Sequence, residues 1–258
     1  MTLWEAAILG LIQGVTEFLP ISSSGHLSLS RSLLGLKTDD LTFEVIVHAG
    51  TLLAVLIALR ARIATLLGGC LRREQQALKM AGLILLGTLP AGVVGILFES
   101  TIEQGFSHEA AVGAFLILTG FVLWSTRHRR GTRSDVRTGD AASIGFAQAF
   151  AILPGVSRSG TTIAVGIWLG MEATEAATFS FLLSIPVILG ATVLKLGDML
   201  ATPPSPDAIG ALAVGFAAAF VSGLIAIRWL LALLARGRLD RFAWYCWAVG
   251  VLALVTFL

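Results

Sequence analysis

Charged residues are scarce in this chain, and their scarcity argues against an ordinary soluble domain. Only 13% of the 258 residues are charged, 56% are apolar, and the mean hydropathy is +0.87. Soluble domains carry about 25% charged residues. A soluble core of this length would not need so much apolar surface, so the composition predicts an all-α integral membrane protein.

Other features are missing as well. The net charge is only +2, and the basic residues fall in short loops between apolar segments, so nothing predicts nucleic-acid binding. Cys70 and Cys246 share no motif spacing, which argues against a disulfide framework or a cysteine metal site. Glu5 is the only charge before residue 17, so a cleaved signal peptide is not expected.

Six apolar stretches approach or exceed the roughly 17 residues that a membrane-spanning helix needs. They lie near residues 43–60, 76–98, 110–126, 176–196, 207–229 and 241–258. Four further segments, 3–19, 24–36, 141–153 and 160–170, are borderline or too short. Short paired segments interrupted by Gly, Pro and Ser are tolerated at membrane depth where they line a cavity. The pattern therefore predicts six transmembrane helices plus two re-entrant helix pairs.

The charges of the connecting loops predict an orientation. The loops 60–73, 127–137 and 236–241 are rich in arginine, whereas 99–109 and 198–207 contain acidic residues and no Lys or Arg. The positive-inside rule places the first three in the cytoplasm. Six spans satisfy these assignments if residues 3–36 dip in from the outer side and 141–170 from the inner side. Both termini then lie outside.

The two halves of the chain also align with each other. At an offset of 135 residues, Gln13, Ser22, Ser24, Gly25, Leu34 and Gly35 match Gln148, Ser157, Ser159, Gly160, Leu169 and Gly170. Pro20 matches Pro154 if Gly155 is a single insertion. The alignment predicts one membrane domain built as an inverted-topology repeat, from approximately residues 1–130 and 141–258. Such repeats place a binding site near the bilayer midplane.

The first short helix pair is interrupted at residues 19–26, Leu-Pro-Ile-Ser-Ser-Ser-Gly-His. Gln13 and Glu17 share one helix face, and Pro20 ends that helix. A carboxylate near the carbonyl end of a helix favours a divalent cation with oxygen ligands, Mg²⁺ or Ca²⁺. Any of three residues is a good N-cap for a helix beginning near Gly25: Ser22, Ser23 and Ser24. His26 lies in the first turn, where free N–H groups form an anion site.

The second pair is interrupted at residues 153–162, Leu-Pro-Gly-Val-Ser-Arg-Ser-Gly-Thr-Thr. Either Ser157 or Ser159 can cap a helix beginning around Gly160. Arg158 projects from this break, and Thr161 and Thr162 follow it. A guanidinium group binds phosphate oxygens through two hydrogen bonds. If both breaks meet, Arg158 and two helix N-termini converge opposite Glu17 and His26, which suits a phosphorylated substrate, its metal and a proton-transfer group.

Several interpretations stay open at this point. His48 and Glu44 belong either to the surroundings of this site or to a buried polar pair, and each serine could do no more than cap a helix. Inverted repeats with broken helices are also typical of transporters, so a transporter or flippase for an anionic lipid is the rival function. The pairing of His26 with Glu17 favours chemistry, because a carrier needs charge complementarity more than a titrating pair.

On these residues the chain resembles the bacterial undecaprenyl pyrophosphate phosphatase family, also called the bacitracin resistance protein. The resemblance runs from end to end and includes residues 13–26 and 154–162, Phe43-Glu44 and residues 179–183. It implies six spans with two re-entrant helix pairs, a homodimer in the bacterial inner membrane and an active site facing the periplasm. It also implies divalent-metal-dependent hydrolysis of undecaprenyl pyrophosphate to the monophosphate carrier of cell-wall synthesis.

The resemblance further implies roles for individual residues. Glu17 is the essential acidic residue and metal ligand, and Arg158 binds the pyrophosphate. Ser23 and His26 are candidate catalytic residues, and the nucleophile is Ser23, His26 or water. Gln13 stands where the family motif has its first acidic position, which disfavours a scheme with two carboxylates. The remaining predicted substrate-binding residues are Ser22, Ser24, Gly25, Ser157, Ser159, Gly160, Thr162 and Gln13.

Overall fold

The computed structural model describes residues 1–36, 41–98, 108–201 and 205–257, and most of these residues are helical. Within these ranges there is no β-strand, only an isolated bridge between Arg133 and Met171. Eleven α-helices and one 3-10 turn, Leu239–Arg241, make up the described architecture. The helices are α1 (Leu3–Phe18), α2 (Ser23–Leu33), α3 (Leu41–Ala58), α4 (Arg60–Leu71), α5 (Gln75–Leu97), α6 (Glu109–Trp124), α7 (Thr138–Phe150), α8 (Arg158–Trp168), α9 (Ala173–Ala201), α10 (Pro206–Leu234) and α11 (Phe242–Phe257).

Several of these helices are long and apolar enough to cross a membrane, as a multi-pass protein requires. Four meet that length and composition in the described part of the chain: α5, α9 through Leu194, α10, and α11 with its preceding 3-10 turn. Helices α3 and α4 form a fifth candidate only as a pair, bent by 76° between them. Helix α6, the predicted span 110–126, has 16 residues. The described residues therefore hold four to five candidate spans.

The prediction of a loop at residues 60–73 is wrong. Residues 60–71 form α4, which follows α3 after a single non-helical residue, Leu59, with φ of −102° and ψ of 15°. No proline interrupts this segment, and Arg60 and Arg62 are exposed on its surface. The backbone N–H of Leu59 donates to Val55 and that of Ile63 donates to Leu59, both at 2.9 Å, so hydrogen bonding continues across the change of direction.

Two predicted acidic loops lie partly outside the described residues. Residues 99–107 and 202–204 are not described. The predicted span 176–196 agrees with the candidate span Ala173–Leu194 of α9, and the helix itself continues to Ala201. Nothing between residues 196 and 201 is a strong helix breaker apart from one glycine, so the ladder of backbone hydrogen bonds continues.

The four predicted short segments are all short helices. They are α1, α2, α7 and α8, with 16, 11, 13 and 11 residues. Helix α1 packs along α10, α7 packs along α5, and α6 packs along α11. Small residues allow these close approaches, as they do between membrane helices generally. At the α6–α11 crossing, a Cβ atom on Gly113 would lie 2.9 Å from the carbonyl oxygen of Gly250, and one on Gly250 would lie 2.7 Å from that of Gly113.

The largest apolar cluster among the described residues lies next to both chain breaks. Phe18 at the end of α1 and Phe181 on α9 are fully buried there. Their rings pack edge to face with centroids 5.5 Å apart, an arrangement that aromatic pairs favour. This contact joins the end of α1 to a helix of the other half of the chain, so it helps to bring the two breaks together.

Candidate functional site

Both chain breaks end in the same capping arrangement. The Ser22 side chain accepts a hydrogen bond from the backbone N–H of Gly25 at 3.3 Å, and the Ser157 side chain accepts one from Gly160 at 3.1 Å. Helices α2 and α8 therefore begin two residues earlier than predicted, at Ser23 and Arg158. Of the serines that were open as caps, these two do the capping.

The two breaks meet at Glu17. The Ser23 hydroxyl donates to Oε2 of Glu17 at 2.6 Å. Nη2 of Arg158, 141 residues away in sequence, donates to Oε1 at 2.6 Å. The side chain of Glu17 is 8% exposed and that of Arg158 is 15% exposed. The prediction that the breaks converge is confirmed, since both oxygens of this nearly buried carboxylate are held by groups from different breaks.

Further hydrogen bonds join the breaks and hold Arg158. The Ser159 hydroxyl donates to the carbonyl oxygen of Leu19 at 3.0 Å, which ties the second break to the first. Nη1 of Arg158 donates to the carbonyl oxygen of Ser180 on α9 at 3.4 Å. The hydroxyls of Thr162 and Ser180 lie 2.7 Å apart. Thr162 thus contacts Ser180, whose carbonyl oxygen accepts from Arg158. Ser180 was not predicted as a site residue, although it lies in the 179–183 stretch.

Helices α6 and α11 each contact one chain break through a single side chain. Buried Thr119 on α6 donates to the carbonyl oxygen of Gly155 and accepts from the backbone N–H of Ser157, both at 3.1 Å. On α11 the Cys246 thiol contacts the carbonyl oxygen of Pro20 at 3.6 Å. Neither residue was predicted, and no sequence motif marks them, because each lies in an ordinary apolar helix.

Two matched glutamines flank the breaks. Nε2 of Gln13 donates to Oε2 of Glu17 at 3.1 Å, and Nε2 of Gln148 donates to the carbonyl oxygen of Gly87 at 3.2 Å. Both Oε1 atoms are buried and have no hydrogen-bond partner among the described residues. A buried, unpaired acceptor is costly, so each oxygen is available to a water molecule, an ion or a substrate group.

The oxygen atoms around Glu17 fit a hard divalent cation that keeps water and phosphate ligands. Within the described ranges, no three His, Cys, Asp or Glu side chains cluster as a metal-binding group. Glu17 is nevertheless joined by the hydroxyl of Ser23 and by the Gln13 amide, whose Nε2 faces Glu17 and whose Oε1 has no partner among the described residues. Mg²⁺ is commonly held by one or two carboxylates together with substrate phosphates and water, so the donor set is compatible with that ion.

The two histidines near the site have different surroundings. His26 places Nδ1 2.8 Å from the carbonyl oxygen of Ser22 and Nε2 2.9 Å from the Tyr245 hydroxyl. His48 places Nδ1 2.7 Å from the carbonyl oxygen of Glu44 and Nε2 4.0 Å from Oε2 of Glu17. The Glu44 carboxylate pairs with Arg31 instead. Of the alternatives left open for His48, its place beside Glu17 therefore favours the surroundings of the site over a buried polar pair.

A cavity of about 500 Å³ opens beside these groups. Its polar lining includes Glu17, Ser23, Ser24, Glu44, His48 and Arg158, whereas Ser22 and His26 are not among its described lining residues. Most of the remaining lining residues are apolar and belong to α5, α9 and the end of α7 with the two residues that follow it. The shape and lining suit an amphiphile that has a compact anionic end and an apolar chain.

Known proteins match this chain over nearly its whole length. Residues 6–252 match the family described as bacitracin resistance protein BacA. The undecaprenyl-diphosphatase of Desulfatibacillum aliphaticivorans is 40% identical over 270 aligned residues, covering 97% of each chain. That of Halothermothrix orenii is also 40% identical and covers 99% of this chain and 98% of its own. Undecaprenyl-diphosphatase 3 of Bacillus anthracis is 41% identical, with 96% and 95% covered.

Proposed function

The chain belongs to the bacitracin resistance protein BacA family, and on this basis we propose that it hydrolyses undecaprenyl pyrophosphate to undecaprenyl phosphate and inorganic phosphate. The product is the lipid carrier that cell-wall synthesis uses again. The observation that carries the proposal is the convergence of Ser23 and Arg158 on Glu17 at the polar end of the cavity. A hydroxyl, a carboxylate and a guanidinium at one point can serve as nucleophile, base and phosphate-binding cation in phosphoryl transfer from a lipid headgroup.

Arg158 binds the pyrophosphate in this proposal, together with the N-terminal ends of α2 and α8. A guanidinium holds two phosphate oxygens at once and carries its charge at any physiological pH. Helix N-termini add backbone N–H groups and the positive end of the helix dipole. Gly25 and Gly160 let the two breaks pack closely, because a Cβ atom on Gly25 would lie 3.2 Å from Cα of Gly155 and one on Gly160 would lie 3.2 Å from Cβ of Pro20. The apolar chain follows the walls that α5, α7 and α9 contribute to the cavity.

Ser23 is the nucleophile in this scheme. Its oxygen forms a bond to the terminal phosphorus, the bond from that phosphorus to the bridging oxygen breaks, and the hydroxyl proton passes to Glu17. Undecaprenyl phosphate leaves with the bridging oxygen. Glu17 then gives this proton to solvent. Water attacks the phosphorus of the phosphoserine, and the bond from that phosphorus to the Ser23 oxygen breaks. One proton of the water returns to the Ser23 oxygen through Glu17, and the other leaves with inorganic phosphate. The 2.6 Å contact between Ser23 and Glu17 supports this assignment, because a general base must lie within hydrogen-bond reach of the proton that it takes.

Trapping separates this nucleophile from the other two. Ser23→Ala should abolish both turnover and an acid-stable phosphoenzyme formed from labelled substrate. An acid-labile phosphoenzyme that is lost in His26→Gln would assign the attack to His26 instead. If no phosphoenzyme forms at any quench time while phosphate is still released, water attacks directly.

A divalent cation, Mg²⁺ or Ca²⁺, is part of the proposal. Glu17, with the amide oxygen of Gln13 and the hydroxyl of Ser23, would hold it. When bound, the ion neutralises charge on the pyrophosphate. Glu17 also receives the proton of Ser23 and pairs with Arg158. In this proposal the one carboxylate therefore contacts the metal, the nucleophile and the arginine that binds phosphate.

The architecture in this proposal is six spans and two re-entrant helix pairs in an inverted repeat, approximately residues 1–130 and 141–258. Three observations support it. Ser22 and Ser157 cap equivalent helices. Gly35 and Gly170 follow those helices with φ of 67° and 87°. The Gly113–Gly250 contact is reciprocal, as expected on a pseudo-two-fold axis.

The homodimer, the bacterial inner membrane and a site open to the periplasm belong to the same proposal and rest on the family resemblance. The orientation has a direct test, since Ser134 is exposed in the arginine-rich loop that we assign to the cytoplasm. A cysteine placed there by Ser134→Cys should resist an impermeant thiol reagent in intact cells. Labelling from outside would invert the topology. Mass measurement of the detergent-solubilised protein tests the dimer.

The activity is tested with purified protein in liposomes that contain undecaprenyl pyrophosphate. Wild-type protein should release phosphate, Glu17→Gln should not, and the matched control Glu74→Gln, at an exposed carboxylate, should behave as wild type. Movement of the lipid between leaflets without phosphate release would instead support the flippase.

A further inference from the structure

His26 and His48 make the same contact with their own helices. In each ring Nδ1 lies close to the carbonyl oxygen four residues earlier, that of Ser22 at 2.8 Å and that of Glu44 at 2.7 Å. A carbonyl oxygen can only accept a hydrogen bond, so Nδ1 carries the hydrogen in both rings. In the neutral form of such a ring, Nε2 is the acceptor. The two histidines differ in what lies in front of that acceptor.

The acceptor of His26 is already used. The Tyr245 hydroxyl of α11 lies 2.9 Å from Nε2, and the two rings stack with centroids 5.6 Å apart. The carbonyl contact of Nδ1 holds the ring to the start of α2. Nδ1 thus contacts the start of α2 and Nε2 contacts α11, so the ring of His26 links the two helices. His26 is not among the described residues that line the cavity.

The acceptor of His48 faces the site. Its side chain is 35% exposed and lines the cavity, and Nε2 lies 4.0 Å from Oε2 of Glu17. That carboxylate oxygen also accepts from Ser23 and from Nε2 of Gln13. Two acceptors cannot bond to each other, but a water molecule that donates one hydrogen to each spans roughly 4 to 4.5 Å at ordinary hydrogen-bond lengths. The observed separation matches that span.

We propose that His48 is the imidazole that contacts the reacting groups, and that its Nε2 accepts a hydrogen bond from the hydrolytic water. The same water donates its other hydrogen to Glu17, so its lone pair points away from both acceptors and toward the phosphorus on Ser23. His26 is a positioning residue, which holds the first break against Tyr245. This inference rests on the proposed hydrolysis and adds a residue to it.

The test compares an apolar and a polar replacement of His48. His48→Leu should lower kcat about 50-fold for farnesyl pyrophosphate in detergent, with KM changed less than threefold, because misplacing one reacting group costs up to about 100-fold. The phosphoenzyme should accumulate, since its hydrolysis is the slowed step. His48→Gln should keep kcat within about fivefold of wild type, because its amide oxygen lies near the position of Nε2 and also accepts a hydrogen bond.

The control is His128→Leu, at an exposed histidine in the loop after α6, and it should behave as wild type. Wild-type kcat in His48→Leu would overturn the proposal, and so would equal losses in His48→Leu and His48→Gln. His26→Gln and Tyr245→Phe should show similar, partial losses. If His26→Gln abolished turnover while Tyr245→Phe retained it, His26 would be the contacting imidazole. A wild-type protein that releases no phosphate would refute the proposed function itself, which these variants would then not address.

Discussion

Ser23 and Arg158 occupy the same position in two equivalent helices, and both contact Glu17, but they have different chemistry. Each is the first residue of its helix and follows a capping serine. Their side chains donate to opposite oxygens of one carboxylate, each at 2.6 Å. The comparison teaches that the same capping arrangement can present different chemistry, a hydroxyl that can attack at one break and a cation that can bind at the other.

The partners of the two breaks differ in the same way. The second break is held by the Thr119 hydroxyl through two hydrogen bonds, and the first by the Cys246 thiol through one longer contact. Gln13 lies against Glu17, whereas Gln148 is bonded to the backbone of α5. The second break, which carries Arg158, is thus held by more hydrogen bonds. The polar atoms that can take part in the reaction are concentrated at the first break.

The largest effect should come from removing the cation. Arg158→Gln should lower kcat/KM about 1000-fold, because one charged donor to a transferring phosphoryl group contributes on that scale. The measurement is phosphate release from farnesyl pyrophosphate, with gel filtration to check folding. Arg129→Gln, at an exposed arginine, is the matched control. A loss below tenfold would mean that Ser23 and Arg158 are not divided into attacking and binding roles.

A smaller effect should follow from loosening the second break. Thr119→Val keeps the shape of the side chain but leaves the Gly155 carbonyl and the Ser157 N–H without their partner. Each buried group left unpaired costs about 1–3 kcal/mol, and Arg158 shifts with the break. We expect kcat/KM to fall about 30-fold with a lower melting temperature. If Thr119→Ser does not recover most of the activity, the hydroxyl is not what positions Arg158.

The two glutamines should differ in their effect on the metal. Gln13→Leu removes the amide that contacts Glu17 and carries an unpaired oxygen, so the Mg²⁺ concentration for half-maximal activity should rise about tenfold, as for other lost metal-supporting groups. Gln148→Leu should leave that concentration unchanged, whatever it does to the rate. Chelation of divalent metal should abolish turnover in all three proteins. Activity that survives chelation would contradict the metal role of Glu17.

The smallest effect should come from the thiol. Cys246→Ala removes a weak hydrogen bond of 3.6 Å to Pro20 and should lower kcat/KM about twofold, since a buried cysteine behaves mainly as a small apolar residue. A loss equal to that of Thr119→Val would show that both breaks need the same support. Cys246→Thr, which supplies a hydroxyl, tests whether the first break tolerates a stiffer contact.

Much of the helix pattern follows from local signals. Apolar length, prolines and serine caps predicted the short helices around both breaks to within a few residues, because each signal acts through neighbours in sequence. Helix α4 was missed because its arginines were interpreted as belonging to a loop between two straight spans. The 76° bend after α3 turns those arginines toward the surface instead. The convergence on Glu17 was predicted through the internal repeat.

Contacts between distant helices were not predictable from local pattern. Tyr245, Thr119 and Ser180 lie in ordinary apolar helices, where a single polar residue has no recognisable partner until the helices are packed. Between apolar helices, close packing of small residues decides which faces meet. Glycines such as Gly113 and Gly250 are common in such helices, so their pairing cannot be read from either position alone.

The order of amino acids was therefore sufficient for the membrane class, the two chain breaks and the choice of Glu17 and Arg158, because composition, caps and charge act locally. Ser23 was distinguished from Ser22 and Ser24 only by the family resemblance. Packing decided what each side chain faces. His26 and His48 share the same bond to their own helix, and only the arrangement of α3 and α11 turns one toward the cavity and the other against Tyr245. That distinction depends on atoms more than 200 residues apart in the chain, a distance over which sequence periodicity carries no information.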